Sequence, residues 1–165
     1  MKTLYLLRHS KSSSDYPGIS DLERPLNDRG YSDAHFISQH LRKENISVDL
    51  VLSSPAIRAI STAIIFCVNI KYAVDAIQIR KNLYDTSVKQ YLQCISEASA
   101  VSSLLLVGHN ETISEVAQKL STERILGMKT CAVIALQFDI ESWEEIGHTK
   151  GKMLFSIDPG SLRDE

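Results

Sequence analysis

Short apolar segments that alternate with amphipathic ones constrain the fold of this chain more than any other feature of its sequence. Residues 3–7 and 103–107 are nearly continuous apolar runs, which are typical of strands covered on both faces of a sheet. Shorter or weaker runs of the same kind predict further strands at residues 50–53, 74–79, 131–138 and 153–157.

Segments with helical spacing of apolar residues separate these strands. Asn27 is a candidate cap for a helix that runs to about residue 44, and Ser54, followed by Pro55, is a candidate cap for the next helix. Further helices are predicted at residues 87–98 and 111–120, and a turn at residues 158–160. Because strands separated by helices imply parallel crossovers, we expect an α/β fold. It would be one domain over residues 1–165, a three-layer α/β/α sandwich around a mostly parallel sheet.

The composition mainly excludes some classes of protein and partner. Hydrophobic residues make up 44% of the chain and charged residues 23%, a balance typical of globular domains. The formal net charge is -2, so nothing favours nucleic acid or an acidic membrane as a partner. No run approaches the roughly 20 apolar residues of a membrane helix, and residues 4–7 are too short for the core of a signal peptide. We therefore expect a cytoplasmic protein.

The three cysteines, Cys67, Cys94 and Cys131, are far apart and lack the close spacing of zinc ligands. We interpret them as reduced, buried thiols, and the sequence assigns them no role. No other group of residues indicates a metal site, so we expect neither a metal nor a cofactor.

Charged and polar residues follow three of the predicted strands at the point where each strand ends. Arg8 and His9 follow the first strand, Arg58 lies in the first turn of the helix after the second, and His109 follows residues 103–107. Ligands of parallel sheets bind at the C-terminal ends of the strands, so these side chains are expected to converge on one rim. The helices that start there also direct their N–H groups and positive dipole ends toward a bound anion.

The residue types in these clusters suit a phosphoryl group. The planar guanidinium of arginine matches phosphate oxygens with paired hydrogen bonds, and a neutral imidazole is a competent nucleophile toward phosphorus. A second imidazole, if protonated, can stabilise the charge that spreads over the equatorial oxygens. Taken alone, Arg58 could be a solvated helix residue and Arg8–His9 a surface pair. Their joint placement with His109 predicts a phosphate site.

The same residues fall in segments that resemble the motifs of a known family. These are Leu-Leu-Arg-His at residues 6–9, Ser-Pro-Ala-Ile-Arg-Ala at residues 54–59 with Thr62 beyond it, and Val-Gly-His-Asn at residues 107–110. Together they are similar to the motifs of the histidine phosphatase superfamily, which has the phosphoglycerate mutase-like fold. The resemblance extends from residue 2 to about residue 120.

Two further segments resemble the SixA-type phosphohistidine phosphatases within that superfamily. They are Glu-Arg-Pro-Leu at residues 23–26, which precedes Arg29-Gly30, and Leu83-Tyr84, which precedes a predicted helix. The resemblance implies a phosphohydrolase whose substrate is a phosphohistidine protein.

The resemblance also implies roles for individual residues. His9 would accept the phosphoryl group and pass it to water, while Arg8, Arg58 and His109 would hold that group. Arg24 lies in the matching loop motif, and either a contact with phosphate or substrate or a structural salt bridge would explain it.

Two departures from the family pattern bear on the substrate. Ser10 stands where the best-known signature of the family has glycine, which disfavours a mutase. Mutases and many acid phosphatases also supply a carboxylic acid to the leaving oxygen, and the candidate here, Asp85, is better explained as a cap or turn residue. A missing acid suits phosphohistidine, because imidazole leaves more readily than an alkoxide. The alternatives are a small-molecule phosphomonoesterase, which Asp85 would serve, and a non-catalytic phosphoprotein-binding module.

Overall fold

A six-stranded sheet forms the centre of the computed structural model, which describes residues 1–164. The strands are β1 (Lys2–Arg8), β2 (Leu50–Ser53), β3 (Gln78–Ile79), β4 (Ser103–Gly108), β5 (Val133–Phe138) and β6 (Lys152–Ile157). The helices are α1 (Asp28–Lys43), α2 (Ile57–Ile70), α3 (Val88–Ser96), α4 (Thr112–Leu120) and α5 (Pro159–Arg163). Short 3-10 helices span Asp21–Glu23, Val74–Ala76, Lys81–Leu83 and Trp143–His148.

The sheet has the strand order β3-β2-β4-β1-β5-β6. The pairs β2–β3, β2–β4 and β1–β4 are parallel, while β1–β5 and β5–β6 are antiparallel. This mostly parallel sheet with helices confirms the predicted α/β class, and the antiparallel edge consists of the two closing strands.

Alternate residues of β1 divide the apolar core between the two faces of the sheet. Leu4 and Leu6 pack with Tyr91 of α3 and Ile113 of α4, whereas Tyr5 and Leu7 pack against residues of α1 and α2. Because side chains alternate across a strand, a strand with helices on both faces is apolar along its whole length. This packing confirms the three-layer sandwich.

Several local predictions differ from the structure. Helix α2 begins at Ile57 rather than next to Ser54, because Ser54 Oγ accepts the Ala56 N–H in a turn before the helix. Residues 74–79 contain only a two-residue strand. The segment at residues 158–160 is not a simple turn: Asp158 caps the Ser161 N–H and Pro159 opens α5. The predicted Asn27 cap is confirmed, since its side chain accepts the Gly30 N–H.

Within residues 1–164, no helix is both long and apolar enough to cross a membrane. The register of the parallel strands sets the position of the predicted site. Arg8 pairs with Gly108, and Ser53 pairs with Val107, so three strands end at one edge of the sheet.

Candidate active site

The edge formed by the ends of β1, β2 and β4 brings together the residues that the sequence singled out. The ring centroids of His9 and His109 are 5.1 Å apart. Both histidines are at least nine-tenths buried, and Arg58 is 5% exposed. The structure therefore brings His9, Arg58 and His109 together at one edge of the sheet, as the sequence predicts.

The His9 ring is held in one tautomer by a short hydrogen bond. Its Nδ1 lies 2.6 Å from the Ser10 carbonyl oxygen, and because a carbonyl only accepts, Nδ1 carries the hydrogen. Nε2 therefore keeps its lone pair. The backbone next to the ring is also fixed, since the His9 N–H donates to the Gly108 carbonyl at 3.1 Å. This arrangement leaves Nε2 as the nucleophilic atom of the ring.

The loop after β1 is fastened to α2 through Thr62. Its Oγ1 accepts the Ser10 N–H at 3.0 Å and donates to the Arg58 carbonyl at 2.7 Å. The Ser10 hydroxyl donates to the Gly30 carbonyl at 2.7 Å. A Cβ at Gly30 would overlap the Lys11 carbonyl oxygen, which explains the glycine there. Thr62 thus ties together the segments that carry the His9 ring and the Arg58 guanidinium.

The tautomer of His109 follows from its contact with Ser54. His109 Nε2 lies 2.7 Å from Ser54 Oγ, which also accepts the Ala56 N–H at 3.2 Å. Ser54 is fully buried, and a buried hydroxyl donates its hydrogen where an acceptor is in reach. The Ser54 hydroxyl therefore donates to Nε2, and Nδ1 of His109 carries the ring hydrogen.

The backbone of His109 is held by a buried tyrosine. The Tyr91 hydroxyl accepts the His109 N–H at 3.0 Å and donates to the Leu83 carbonyl at 2.8 Å. A Cβ at Gly108 would lie 2.5 Å from the same hydroxyl, so only glycine fits before His109. The approach of Tyr91 to the strand end is thus a reason for the Gly-His sequence.

Three N–H groups at this edge are buried and have no hydrogen-bond partner among residues 1–164: Arg8 Nε, Arg58 Nε and His109 Nδ1. A buried donor without an acceptor costs about 1–3 kcal/mol, so such groups require an explanation. Arg8 is anchored by a 2.9 Å bond from Nη1 to the Met128 carbonyl. Three orphaned donors on two arginines and a histidine are the chemistry of an anion site.

Asp21 occupies the terminal nitrogens of Arg58. Its carbonyl oxygen accepts from Nη1 at 2.6 Å, and its carboxylate accepts from Nη2 at 2.9 Å. The carboxylate also accepts from the Tyr84 hydroxyl at 2.7 Å and from Arg24 Nε at 3.0 Å. The hydrogen bond from Tyr84 and the bonds from Arg58 and Arg24 hold the pKa of Asp21 well below its ordinary value. Asp21 is therefore an ionised counter-charge within the site.

Arg24 lies in the loop that covers this edge. Besides Asp21, its guanidinium donates from Nη1 to Ser12 Oγ at 2.7 Å and to the Ser13 carbonyl at 3.2 Å. These bonds make the structural salt bridge that was one of the two explanations for Arg24. A role for Arg24 in phosphate binding stays a prediction.

An open pocket of about 320 Å³ lies beside His109. Its lining is Asp21, Arg58, Tyr84, Asp85, His109 and Asn110. Tyr84 meets the His109 ring edge-on, with centroids 5.5 Å apart. The candidate acid Asp85 therefore lines the same pocket as His109 and Arg58.

Burial keeps both histidines neutral. Burial and, to a smaller degree, the charges of His109, Arg58 and Arg8 together lower the pKa of His9 to about 3, against the raising effect of the hydrogen bond to the Ser10 carbonyl. Burial and the Arg58 charge lower the pKa of His109 to about 4, although Asp21 raises it. At neutral pH His9 thus has its lone pair, and His109 donates as a neutral ring. A bound phosphoryl anion would raise the pKa of His109 toward the protonated form.

The remaining reactive side chains suggest no second centre. Within residues 1–164, no group of three His, Cys, Asp or Glu side chains is arranged to hold a metal ion. All three cysteines are buried, and burial raises the pKa of Cys67 and Cys131 to about 12 and of Cys94 to about 11. Thiols with such pKa values are inert as nucleophiles.

Comparison with known proteins assigns the chain to a family. Residues 4–91 match the family model of the histidine phosphatase superfamily (branch 1). Over 153 residues the chain is 33% identical to an uncharacterized chloroplastic protein of Arabidopsis thaliana, covering 87% of this chain and 70% of that one. The chain belongs to the histidine phosphatase superfamily and is a phosphatase.

The more specific likeness is to SixA proteins. The chain is 24% identical over 135 residues to phosphohistidine phosphatase SixA of Escherichia coli strain K12, covering 80% of this chain and 82% of that one. A structure assigned as phosphohistidine phosphatase SixA from Agrobacterium tumefaciens superposes with a TM-score of 0.83 and 26% identity, over 96% of this chain and 99% of that one. A tungstate complex of the protein histidine phosphatase SixA gives 0.80 at 21% identity, over 97% and 99%. Within the superfamily the chain is of the SixA type.

Sequence reasoning did not find Asp21, nor the contact of Ser54 with His109. Asp21 lies in a polar loop where nothing local marks it, and its partner Arg58 is 37 residues away. Ser54 was interpreted as a helix cap, and a serine next to proline does suggest one. The signal for its contact with His109 was the parallel register that sets the two strand ends side by side.

Proposed function

We propose that the chain is a protein phosphohistidine phosphatase that passes the phosphoryl group to Nε2 of His9 and then to water. The observation that carries this proposal is the pairing of a neutral His9 Nε2 with three orphaned N–H donors. A nucleophile with its lone pair available and a set of donors for an anion are the two requirements of covalent phosphoryl transfer.

In the first step the Nε2 lone pair of His9 forms a bond to phosphorus, and the P–N bond of the substrate breaks. The electron pair of that bond goes to the departing nitrogen, and the ring, which carries a hydrogen on its second nitrogen, leaves as neutral imidazole. Arg8 Nε, Arg58 Nε and His109 Nδ1 donate to the phosphoryl oxygens and stabilise the charge that spreads over them. The hydrogen bond to Ser10 keeps the His9 ring in the correct orientation.

In the second step water attacks the phosphorus of phospho-His9, and Nε2 recovers its lone pair. The same donors stabilise the oxygens in this step, because the phosphoryl group is bound at the same place. Departure of inorganic phosphate then restores the neutral His9 ring with its Nδ1 hydrogen bond.

Asp21 cannot protonate a leaving group, and this favours phosphohistidine as the substrate. Asp21 is ion-paired with Arg58 and Arg24 and holds no proton to give. An imidazole needs less help in leaving than an alkoxide does. The SixA relative of Escherichia coli is named as a phosphohistidine phosphatase, which supports the same substrate class here.

A small-molecule phosphomonoesterase is the second candidate, and the place of Asp85 in the pocket lining favours it. There Asp85 would protonate the leaving oxygen. The non-catalytic module has no comparable support, because every residue of the proposed chemistry is present.

The dependence of rate on the leaving group tests the proposal. Without a general acid, phosphohistidine and aryl phosphates with acidic phenols should be cleaved, while alkyl phosphates should react about 10²–10⁴-fold more slowly. The measurement is kcat/KM on a phosphohistidine protein, an aryl phosphate and a sugar phosphate. Rapid turnover of the sugar phosphate, lost in Asp85→Asn, would establish the phosphomonoesterase instead.

A further inference from the structure

Asp85 is held at the pocket by anchors on both sides. On one side, the Tyr91 hydroxyl binds the Leu83 carbonyl at 2.8 Å and Tyr84 binds Asp21 at 2.7 Å. On the other, the Thr112 hydroxyl donates to the Thr86 carbonyl at 3.3 Å. A residue between such anchors is presented to the pocket in a defined place.

Asp85 has an unusual backbone conformation and a carboxylate outside the ion pairs of residues 1–164. Its φ is 49°, in the left-handed region that aspartate and asparagine tolerate better than most residues. The side chain is exposed, and none of the ion pairs among residues 1–164 includes it. The pocket therefore contains a carboxylate whose charge no arginine or lysine neutralises by direct contact.

The leaving group must lie near this carboxylate. In phosphoryl transfer the nucleophile and leaving group are roughly in line on opposite sides of phosphorus. The pocket shares His109 and Arg58 with the phosphoryl site, but His9 is not part of its lining. The substrate atoms beyond phosphorus, seen from His9, thus enter the space lined by Tyr84, Asp85 and Asn110.

We propose that Asp85 is a specificity-determining residue that accepts a hydrogen bond from an N–H of the leaving group. This inference rests on the proposed function. It predicts that the site prefers a positively charged leaving group. A phosphohistidine ring protonated at its second nitrogen offers both an N–H and a positive charge to this carboxylate. A leaving group with a second anionic group is repelled by it.

The step balances without a proton from Asp85. The carboxylate favours the protonated phosphoimidazole ring, whose P–N bond is weakened by the positive charge. When His9 Nε2 bonds to phosphorus, the electron pair of the P–N bond neutralises the ring, which leaves as imidazole with its distal hydrogen in place. Asp85 stays ionised throughout, so its role differs from that of a general acid.

The test compares wild type with Asp85→Asn on substrates that differ in leaving-group charge. The substrates are phenyl phosphates with a meta trimethylammonium, nitro or carboxylate group, together with phosphoimidazole. Asparagine is compatible with the left-handed backbone, so the loop should keep its conformation. The readout is the variant to wild-type ratio of kcat/KM for each substrate, in which differences in intrinsic reactivity cancel.

Relative to wild type, Asp85→Asn should lose about 3- to 5-fold on the trimethylammonium substrate and on phosphoimidazole, and gain about as much on the carboxylate, as expected for one exposed charge. The nitro substrate should be unaffected, and high salt should shrink the differences. Asp139→Asn is the control, since Asp139 is exposed and follows β5, whose Phe138 pairs with Lys2 at the opposite end of β1.

An equal effect on all substrates, or a loss confined to the phenyl phosphates, would overturn the role given to Asp85. The second outcome would make Asp85 the general acid. A wild-type protein that cleaves the phenyl phosphates but not phosphoimidazole contradicts the proposed function instead, and the three phenyl phosphates still decide the role of Asp85.

Discussion

Asp21 binds both terminal nitrogens of Arg58, one through its carbonyl oxygen at 2.6 Å and the other through its carboxylate at 2.9 Å. The paired hydrogen bonds that the sequence led us to expect between arginine and phosphate are made here to a protein residue. Asp21 takes one N–H from each terminal nitrogen, and Nε is the nitrogen of Arg58 that has no partner among residues 1–164 and can donate to a substrate oxygen. The loop that carries Asp21 thereby fixes the orientation of an arginine on α2.

Removing the Asp21 carboxylate should impair catalysis through Arg58. Asp21→Ala keeps the carbonyl contact but loses the bond to Nη2, so the guanidinium is less well placed. We expect kcat/KM to fall about 10-fold, since small displacements of catalytic groups are costly. Asp15→Ala in the same loop is the control, because Asp15 is exposed and belongs to none of the ion pairs of residues 1–164. Equal activity of the two variants would contradict this prediction.

Arg58→Lys should be severely impaired despite keeping its charge. One ammonium group cannot hold both Asp21 contacts and also present a fixed N–H in the place of Nε. We expect kcat to fall by roughly 10²-fold, as when one preorganised transition-state donor is removed. Arg42→Lys, at an exposed position of α1, provides the comparison. A fully active Arg58→Lys protein would exclude Arg58 from the phosphoryl site.

Thr62→Val should lower stability and activity together. It leaves the buried Ser10 N–H without an acceptor, which should reduce the free energy of unfolding by about 1–3 kcal/mol. It also unfastens the loop of His9 from α2, so kcat should fall under conditions where the variant is fully folded. Ser38→Ala removes another buried hydroxyl, which bonds to Ala34 within α1, and should lower stability alone. Unfolding curves and kcat of the two variants provide the test.

Histidine burial predicts a specific pH dependence. The pKa of His9 is lowered from 6.5 to about 3 and that of His109 to about 4. As pH falls below 6.5, these histidines become protonated in the unfolded chain but stay neutral in the folded protein. The free energy of unfolding therefore decreases until the pH reaches the lower pKa values of the folded state. The decrease should be smaller in His9→Asn, which lacks one of the two groups. NMR titration of the imidazoles checks this directly: a His9 ring protonated at pH 6 contradicts it.

The strand ends were predictable because the sheet obeys simple rules. Apolar runs located β1, β2 and β4, and parallel strands end at one edge, so Arg8, His9 and His109 could be placed together from the sequence. The first residue of α2 was harder to predict from the sequence. The sequence suggests that Ser54 caps the helix, but the Ser54 hydroxyl contacts His109, 55 residues away.

The Asp21 network was not predictable because it depends on how a loop returns to the sheet. The Ser13 N–H donates to the Pro25 carbonyl, and the Arg24 side chain donates to Ser12, which closes the loop over the strand ends. No periodic pattern encodes such long-range pairing. For Asp85, the sequence indicated a candidate acid, but only the structure shows that this residue lines the pocket.

Phosphorylation of His9 is the central claim, and rapid-quench trapping tests it most directly. Wild-type protein mixed with radiolabelled phosphoimidazole should yield an acid-labile, base-stable phosphoryl label that peptide mapping locates on His9. His9→Ala should show neither label nor turnover, because no neighbouring side chain can form the phospho-enzyme. A His9→Ala protein that turns over at the wild-type rate, or a label on any other residue, would contradict the account.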